Sequence, residues 1–294
     1  MTVPLRERVE EYLRLRRALG FRLVREGRML AGFAAHLEQQ GTATITAEHA
    51  ITWAQLPQNV HPGLWTQRLT AVRGFAAWLR VTDPATEIPP RGVFPGQGKR
   101  PAPFIFSEDD ITRMTAACSG IRPAFRSATC TALSGLIAVT GIRISEALSI
   151  PAGGIDLDAG LLPVRPAKSR CERVLPLHPS TVEALAEYDE LRSRRHPAAA
   201  TFFVSLRGTR LCHTPVMNAF REACAGAGIP GRPRIHDLRH SLAVTALLEW
   251  YRSGENVDGQ IPALQGYLGH VSPEGTYWYY SDSRVIPIPA PLAA

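Results

Sequence analysis

Side chains suited to phosphodiester chemistry are concentrated in the second half of this 294-residue chain. They comprise two arginines, two histidines, a lysine and a group of three tyrosines. In chain order they are Arg143, Lys168, His236, Arg239, His270, Tyr277, Tyr279 and Tyr280. Arginine carries a planar fork of N–H donors that can bind two phosphate oxygens at once. These residue types predict a site in which two arginines hold a phosphodiester while a tyrosine attacks it.

The spacing of these residues supports that prediction and leaves one choice open. His236 and Arg239 are three residues apart, so on a helix both side chains lie on one face and can point at one phosphate. A tyrosine with an ordinary pKa of about 10 needs a cationic site or a base before it attacks. The three tyrosines lie within about one helical turn, so residue type and proximity do not decide which of them is the nucleophile.

Four motifs in this half of the chain resemble those of the tyrosine recombinases, which are also called phage-type integrases. In chain order they are T-G-I-R-I-S-E-A-L at 140–148, H-D-L-R-H at 236–240, L-G-H at 268–270 and a tyrosine nine residues after that last histidine. The resemblance covers about Phe106–Ser281 and selects Tyr279 as the nucleophile. The run T-Y-W-Y at 276–279 is similar to transposon-borne integrases.

The resemblance implies that five residues act around the scissile phosphate. Arg143 and Arg239 would bind its oxygens, and His270 would donate a hydrogen bond to it. His236 would act as the general acid/base. Glu146, three residues after Arg143 in the sequence, would orient that arginine without itself touching the phosphate.

The resemblance also implies the course of the reaction and its partners. Tyr279 would form a 3′-phosphotyrosine bond, and Lys168 would protonate the leaving 5′ oxygen. A 5′ hydroxyl would later reverse that bond, so bond energy is conserved and no cofactor is expected. Because the arginines supply positive charge, no metal is expected either. The expected partner is a double-stranded DNA recombination site bound by a tetramer of recombinase subunits.

Other interpretations of the motifs stay open at this point. His236 and His240 have the i, i+4 spacing of a zinc-binding helix, although Arg239 lies between them and would repel the ion. A catalytically silent DNA-binding module would retain the same motifs. A type IB topoisomerase-like strand transferase would use the same tyrosine chemistry, but the separate N-terminal helices favour a recombinase.

The composition suits an intracellular protein that binds a polyanion. The chain has 33 Lys and Arg against 26 Asp and Glu, and its net charge of +7 attracts nucleic acid. Five cysteines without a C-x-x-C pair are typical of reduced thiols. The sequence contains no recognisable signal peptide and no apolar stretch long enough to span a bilayer. We therefore expect a cytoplasmic protein with no membrane partner.

Four amphipathic helices are predicted in residues 1–83, which we interpret as a helical, DNA-clamping core-binding domain. A plain helical bundle with solvated arginines is an open alternative. The proline- and glycine-rich segment 84–105 is a predicted linker between domains. Candidate DNA contacts are basic residues of these segments and of a predicted hairpin: Arg68, Arg73, Lys99, Arg100, Arg170 and Arg173.

Residues 106–294 are predicted to form the catalytic domain, which gives a chain that is mainly α with a small antiparallel β-sheet. The sheet is predicted from short apolar runs at 155–157, 161–164 and 173–177. Residues 254–259 are predicted as a loop, and 275–281 as a short helix that carries the tyrosines. The proline-rich tail at 285–291 is incompatible with a helix, so contact with a neighbouring subunit would use an extended segment.

Overall fold

The computed structural model of the chain describes residues 3–95, 102–165 and 172–269. Contacts divide the chain into two compact units, Met1–Pro101 and Ala102–Ala294. Both units are mainly α-helical, and the described part of the second unit adds one two-stranded antiparallel sheet. The predicted fold class, mainly α with a small antiparallel β-sheet, is confirmed. Among the described residues, no helix combines the length and the apolar character that crossing a membrane requires.

Four helices form the first unit because each of them has one apolar face. They are α1 (Leu5–Ala18), α2 (Val24–Gln39), α3 (Ala47–Gln55) and α4 (Gly63–Leu79). Val9, Phe33 and Phe75 are buried together between these helices. Thr46 caps α3 by accepting a hydrogen bond from the backbone N–H of His49 at 3.1 Å, which satisfies a donor at the helix start.

Residues 84–95 of the predicted linker pack on the four-helix unit. Phe94 is buried in its core, and the centroid of its ring lies 5.8 Å from that of Trp65. The carboxylate of Glu87 accepts a hydrogen bond from the backbone N–H of Ala47 at 2.7 Å. Packing and hydrogen bonds therefore hold this part of the segment to the first unit.

Within its described residues, the second unit contains seven further α-helices and a β-hairpin. The helices are α5 (Glu108–Ala117), α6 (Ala124–Thr140), α7 (Ile144–Ala147), α8 (Pro179–Arg195), α9 (His213–Gly226), α10 (Ile235–Ser253) and α11 (Val257–Leu268). Helix α6 is central because it packs against α5, α8, α9 and α10. Its Leu133, Leu136 and Ile137 lie in the core of the unit.

The hairpin consists of β1 (Leu161–Val164) and β2 (Arg173–Pro176), paired antiparallel. Leu162 lies opposite Leu175, and both side chains are buried in the same core as Val164. A slip of one residue would move these apolar side chains to the exposed face. Burial of one face therefore fixes the register of the hairpin.

The strand predicted at 155–157 is wrong. That segment makes only one bridge, between Asp156 and Leu161. The chain reverses direction between those two residues, where Gly160 has φ +64°. The apolar residues of the segment are therefore part of a tight turn before β1 instead of a third strand.

The loop predicted at 254–259 is wrong in its second half, because α11 begins at Val257. Asn256 caps this helix by accepting a hydrogen bond from the backbone N–H of Gly259 at 3.2 Å. A polar capping turn was thus interpreted as a loop. The helix predicted at 275–281 and the tail at 285–291 lie outside the described residues.

Candidate active site

Arg143 lies at the junction between α6 and α7, and a glycine makes that junction possible. Gly141 caps α6 in the left-handed conformation with φ +62°, which favours glycine. A Cβ at this position would lie 2.8 Å from Leu242 Cδ2 and 3.0 Å from Leu268 Cδ2. Beyond the turn, the backbone N–H of Arg143 donates to Glu146 Oε2 at 2.9 Å at the start of α7.

Arg239 lies in α10 and is buried, with 1% of its surface exposed. Its Nη1 donates to the carbonyl oxygen of Gly141, and its Nη2 donates to that of Leu268 at 2.7 Å. These carbonyls belong to the C-terminal ends of α6 and α11, where the helix dipole is negative. Two helix ends therefore offset much of the free-energy cost of burying this guanidinium charge.

The structure brings Arg143 and Arg239 together at the C-terminal end of α11. Arg143 Nη2 donates to the carbonyl oxygen of Gly269 at 2.7 Å, and the preceding carbonyl accepts from Arg239. The side chain of Arg143 is 31% exposed, whereas Arg239 is enclosed. Two guanidinium charges held so close together create a positive potential that suits an anionic ligand.

Glu146 joins Arg143 to an arginine of the hairpin. Its carboxylate accepts from Arg143 Nη1 at 3.0 Å and from Arg173 Nη2 at 2.9 Å. Burial alone would raise the pKa of Glu146, but the hydrogen bonds and charges of Arg173 and Arg143 outweigh burial and lower the pKa below its ordinary value. The carboxylate is therefore ionised at neutral pH and accepts hydrogen bonds from both arginines.

The environment of Arg173 differs from that of a solvent-exposed DNA contact. Its side chain is 9% exposed and faces Glu146. Residue spacing does not predict this pairing, because the two residues are 27 positions apart and lie in different elements. The sequence also places Glu172 directly beside Arg173, so residue type alone does not select Glu146 as the partner. A contact between Arg173 and DNA stays a prediction.

His236 and His240 lie on successive turns of α10. Their ring centroids are 4.5 Å apart and the ring planes are inclined by 77°. His240 is buried, whereas His236 is partly exposed and has the access that a general acid/base needs.

Asp237 binds Arg234 at the start of the helix, with 2.7 Å between Oδ1 and Nη2. In the ranges 3–95, 102–165 and 172–269, no group of three or more His, Cys, Asp or Glu residues could hold a metal ion.

Arg68 and Arg73, the predicted DNA contacts of α4, both bind groups of their own unit. Arg68 lies over the ring of Trp53, 3.6 Å from its centroid, and donates to the Trp53 carbonyl at 2.7 Å. Arg73 donates to the carbonyl oxygens of Pro89 and Pro90 at 2.8 and 2.7 Å. Burial lowers the pKa of both guanidinium groups. Contact of these arginines with DNA stays a prediction.

The remaining predicted site residues lie outside the described residues. They are Lys99, Arg100, Lys168, Arg170, His270 and Tyr279. Of the predicted catalytic residues, the structure therefore describes Arg143, His236 and Arg239, together with Glu146.

The motifs that converge at the end of α11 fall within a match to a known protein family. Residues 105–284 match the Phage integrase family, and this match covers more than half of the chain. The chain belongs to this family of tyrosine recombinases. It is therefore a tyrosine-type site-specific recombinase, as its motifs predicted.

The similarity extends over nearly the whole length of curated relatives. The recombinase is 37% identical over 292 residues to the putative integrase/recombinase y4rB of Sinorhizobium fredii. The aligned region covers 95% of this chain and 93% of the relative. It is 30% identical to the tyrosine recombinase XerC of Azotobacter vinelandii over 86% of this chain and 82% of the relative. Both units of the recombinase are thus included in the similarity.

Solved structures share the fold at lower identity. The Tn1549 transposon integrase in complex with transposon right end DNA matches with a TM-score of 0.66, 14% identity and 95% coverage of each chain. The XerH site-specific recombinase bound to its difH substrate matches with a TM-score of 0.64 and 16% identity, over 88% of this chain and 76% of that chain. These likenesses show that the recombinase has the same fold.

Proposed function

We propose that this recombinase cuts and rejoins DNA by transesterification through a 3′-phosphotyrosine intermediate. The observation that carries the proposal is the convergence of Arg143 and Arg239 on consecutive carbonyls at the end of α11. The two guanidinium groups lie close together, so the site has a net positive charge that can bind a phosphate. In phosphoryl transfer, positioning and charge stabilisation of this kind supply most of the rate enhancement.

In the proposed cleavage step, the Tyr279 oxygen attacks the scissile phosphorus and the bond to the 5′ oxygen breaks. His236 acts as the general acid/base and takes the proton of the Tyr279 hydroxyl, and Lys168 gives a proton to the leaving 5′ oxygen. Arg143 and Arg239 stabilise the charge on the non-bridging oxygens. In rejoining, a 5′ hydroxyl attacks the phosphotyrosine and releases the tyrosine, so the number of phosphodiester bonds is unchanged.

The proposed substrate is a specific site in double-stranded DNA, exchanged within a tetramer on DNA. His270 would bind the scissile phosphate, and the first unit would clamp the duplex as a core-binding domain. The net charge of +7 supports binding to DNA and predicts an affinity that falls steeply with salt. Solved relatives include a lambda integrase tetramer bound to a Holliday junction, and a similar assembly is proposed here because each subunit would supply one nucleophile.

Covalent trapping tests this function. The protein is incubated with nicked DNA from the flanks of its own gene, and adducts are separated on a denaturing gel. We expect an adduct from the unaltered protein and from the control variant Tyr277→Phe, and none from Tyr279→Phe, although all three bind DNA on a native gel. Full adduct yield from Tyr279→Phe would assign the nucleophile elsewhere. Binding without any adduct would favour a catalytically silent DNA-binding module.

A further inference from the structure

We propose that Arg173 is a positioning residue that keeps the charge and orientation of Arg143 available to the scissile phosphate by sharing Glu146 with it. The inference rests on the proposed function, because it assigns a role in that same site. Arg173 itself is not required to touch DNA in this role. It acts through the carboxylate that both arginines bind.

The geometry of Arg173 is that of a two-pronged contact with Glu146. Arg173 is the first residue of β2 and pairs with Val164 of β1, so the hairpin fixes its backbone. Its Nη2 lies 2.9 Å from Glu146 Oε2, and its Nη1 lies 3.4 Å from Glu146 Oε1. A planar fork facing a carboxylate in this way restricts the rotation of both groups.

The same carboxylate also accepts two hydrogen bonds from Arg143, one from the backbone N–H at 2.9 Å and one from Nη1 at 3.0 Å. A carboxylate offers about four lone-pair sites, so the four contacts use its whole capacity. Without Arg173, Glu146 would be free to turn and bind both Nη groups of Arg143. Arg143 would then lose its hydrogen bond to the carbonyl of Gly269.

The charge of the trio leads to the same conclusion. Arg143, Arg173 and Glu146 together carry a net charge of +1, whereas Arg143 and Glu146 alone carry zero. A neutral pair would attract a phosphate much less than a cationic cluster does. Arg173 therefore neutralises the carboxylate and leaves the positive charge of Arg143 available to the phosphate.

A purely structural ion pair explains these observations less well. Burying both charges costs desolvation free energy, and an apolar pair of similar volume is often equally stable. The backbone nevertheless makes room for Arg173 at Gly269, where a Cβ would lie 2.6 Å from Arg173 Nη1 and φ is +66°. Within the described ranges, Arg173 Nε is buried without a hydrogen-bond acceptor. These features favour a role for Arg173 beyond that of a structural ion pair.

A double-mutant cycle tests the proposal, with the rate of adduct formation on nicked DNA measured at saturating protein. We expect Arg173→Gln to slow this rate roughly tenfold and Arg173→Lys, which keeps the charge, to slow it less. The variant Arg173→Gln/Glu146→Gln should be faster than Arg173→Gln alone, because its trio regains a charge of +1. Thermal unfolding of each variant shows whether it is folded.

Arg192 provides a matched control, because it is buried and binds Asp189 at 2.6 Å within the same unit but in α8. Arg192→Gln should lower the melting temperature and leave the adduct rate of folded protein unchanged. If the fold-losses in adduct rate from Arg173→Gln and Glu146→Gln multiply in the double variant, the two residues act independently and the positioning role is overturned. It is also overturned if Arg173→Gln affects only the melting temperature, as Arg192→Gln should. No adduct from the unaltered protein would instead overturn the proposed function, and this role with it.

Discussion

Arginines that are partly or fully buried occur in both units of the recombinase, but their surroundings differ. In the first unit, Arg68 and Arg73 lie apart from each other, and each guanidinium binds backbone carbonyls of its own surroundings. In the second unit, Arg143 and Arg173 share the Glu146 carboxylate, and Arg143 and Arg239 meet at the end of α11. In both regions the donors are guanidinium groups and most acceptors are backbone carbonyls. The two regions differ in how many positive charges lie close together.

This difference separates a folding role from a ligand-binding role. A single arginine that caps a carbonyl or covers an aromatic ring stabilises its unit through that contact. Three guanidinium groups at the end of α11, two of which share one carboxylate, repel one another, and helix-end carbonyls offset only part of that repulsion. A bound phosphate would relieve the rest, so clustered arginines indicate a phosphate site where isolated ones do not.

The largest effect is expected from Arg239, because it combines both roles. Arg239→Ala should slow adduct formation about 100- to 1,000-fold, since one donor to the transition-state charge is lost. It should also lower the free energy of unfolding by about 3 kcal/mol, because two carbonyls lose their buried partner. Single-turnover cleavage and urea unfolding measure the two effects. If the alanine variant does not fold, Arg239→Lys, which keeps a positive charge, is measured in its place. Near-normal cleavage by either variant would show that Arg239 does not bind the scissile phosphate.

The glycine that aligns the cluster should give the next largest effect. Gly141→Ala should destabilise the protein by about 1–3 kcal/mol, because φ is +62° and the new Cβ would lie 2.8 Å from Leu242. Adduct formation should slow as well, since the Gly141 carbonyl binds Arg239. Gly135→Ala in α6 is the control, because its Cβ would meet no atom within 4 Å, and it should be neutral or stabilising. Equal effects at both glycines would contradict this account of the turn.

Glu146 should give a pH-dependent contribution to stability. Its folded-state pKa is lowered below the ordinary value of 4.5, so its stabilising effect is present above that pH and is lost as the pH falls through the folded-state pKa. We expect the free energy of unfolding to fall more steeply between pH 5 and pH 3 in the unaltered protein than in Glu146→Gln. Parallel curves from urea unfolding over this window would show that the carboxylate gains nothing from its arginines.

The smallest effect on chemistry is expected in the first unit. Arg68→Ala should cost about 1–2 kcal/mol of stability, because it removes the contact with the Trp53 ring and a hydrogen bond to the Trp53 carbonyl. The adduct rate at saturating DNA should stay within about twofold of the unaltered protein, whereas removal of a cluster arginine slows that rate strongly. A large loss of rate from Arg68→Ala would remove the distinction between the two regions.

Local sequence patterns predicted the parts of the structure that depend on local physics. Apolar periodicity predicted the four helices of the first unit. The capping turn at Asn256 was wrongly predicted as loop, because its polar side chain suits either structure. Boundaries that depend on one side-chain hydrogen bond are therefore the least predictable from the sequence.

The motifs predicted that Arg143 and Arg239 act at one site, and the structure brings these two arginines together, but their partners could not be predicted. Arg143 binds a carbonyl 126 residues away, and Arg173 binds a carboxylate 27 residues away in another element. Such pairs arise only when α6, α11 and the hairpin pack together, and residue spacing carries no record of that packing. The distinction between Arg173 in the cluster and Arg73 in the helical unit depends on these long-range contacts.

The measurement that tests the arginine cluster most directly compares a charged and a neutral scissile group. Adduct formation by Arg143→Ala is measured on nicked DNA with a normal phosphodiester and on the same DNA with an uncharged methylphosphonate at the scissile position. If Arg143 stabilises phosphate charge, the variant should be slowed about 100-fold or more on the phosphodiester and much less on the methylphosphonate. The same loss of rate on both substrates would show that the cluster does not stabilise that charge and would contradict the account.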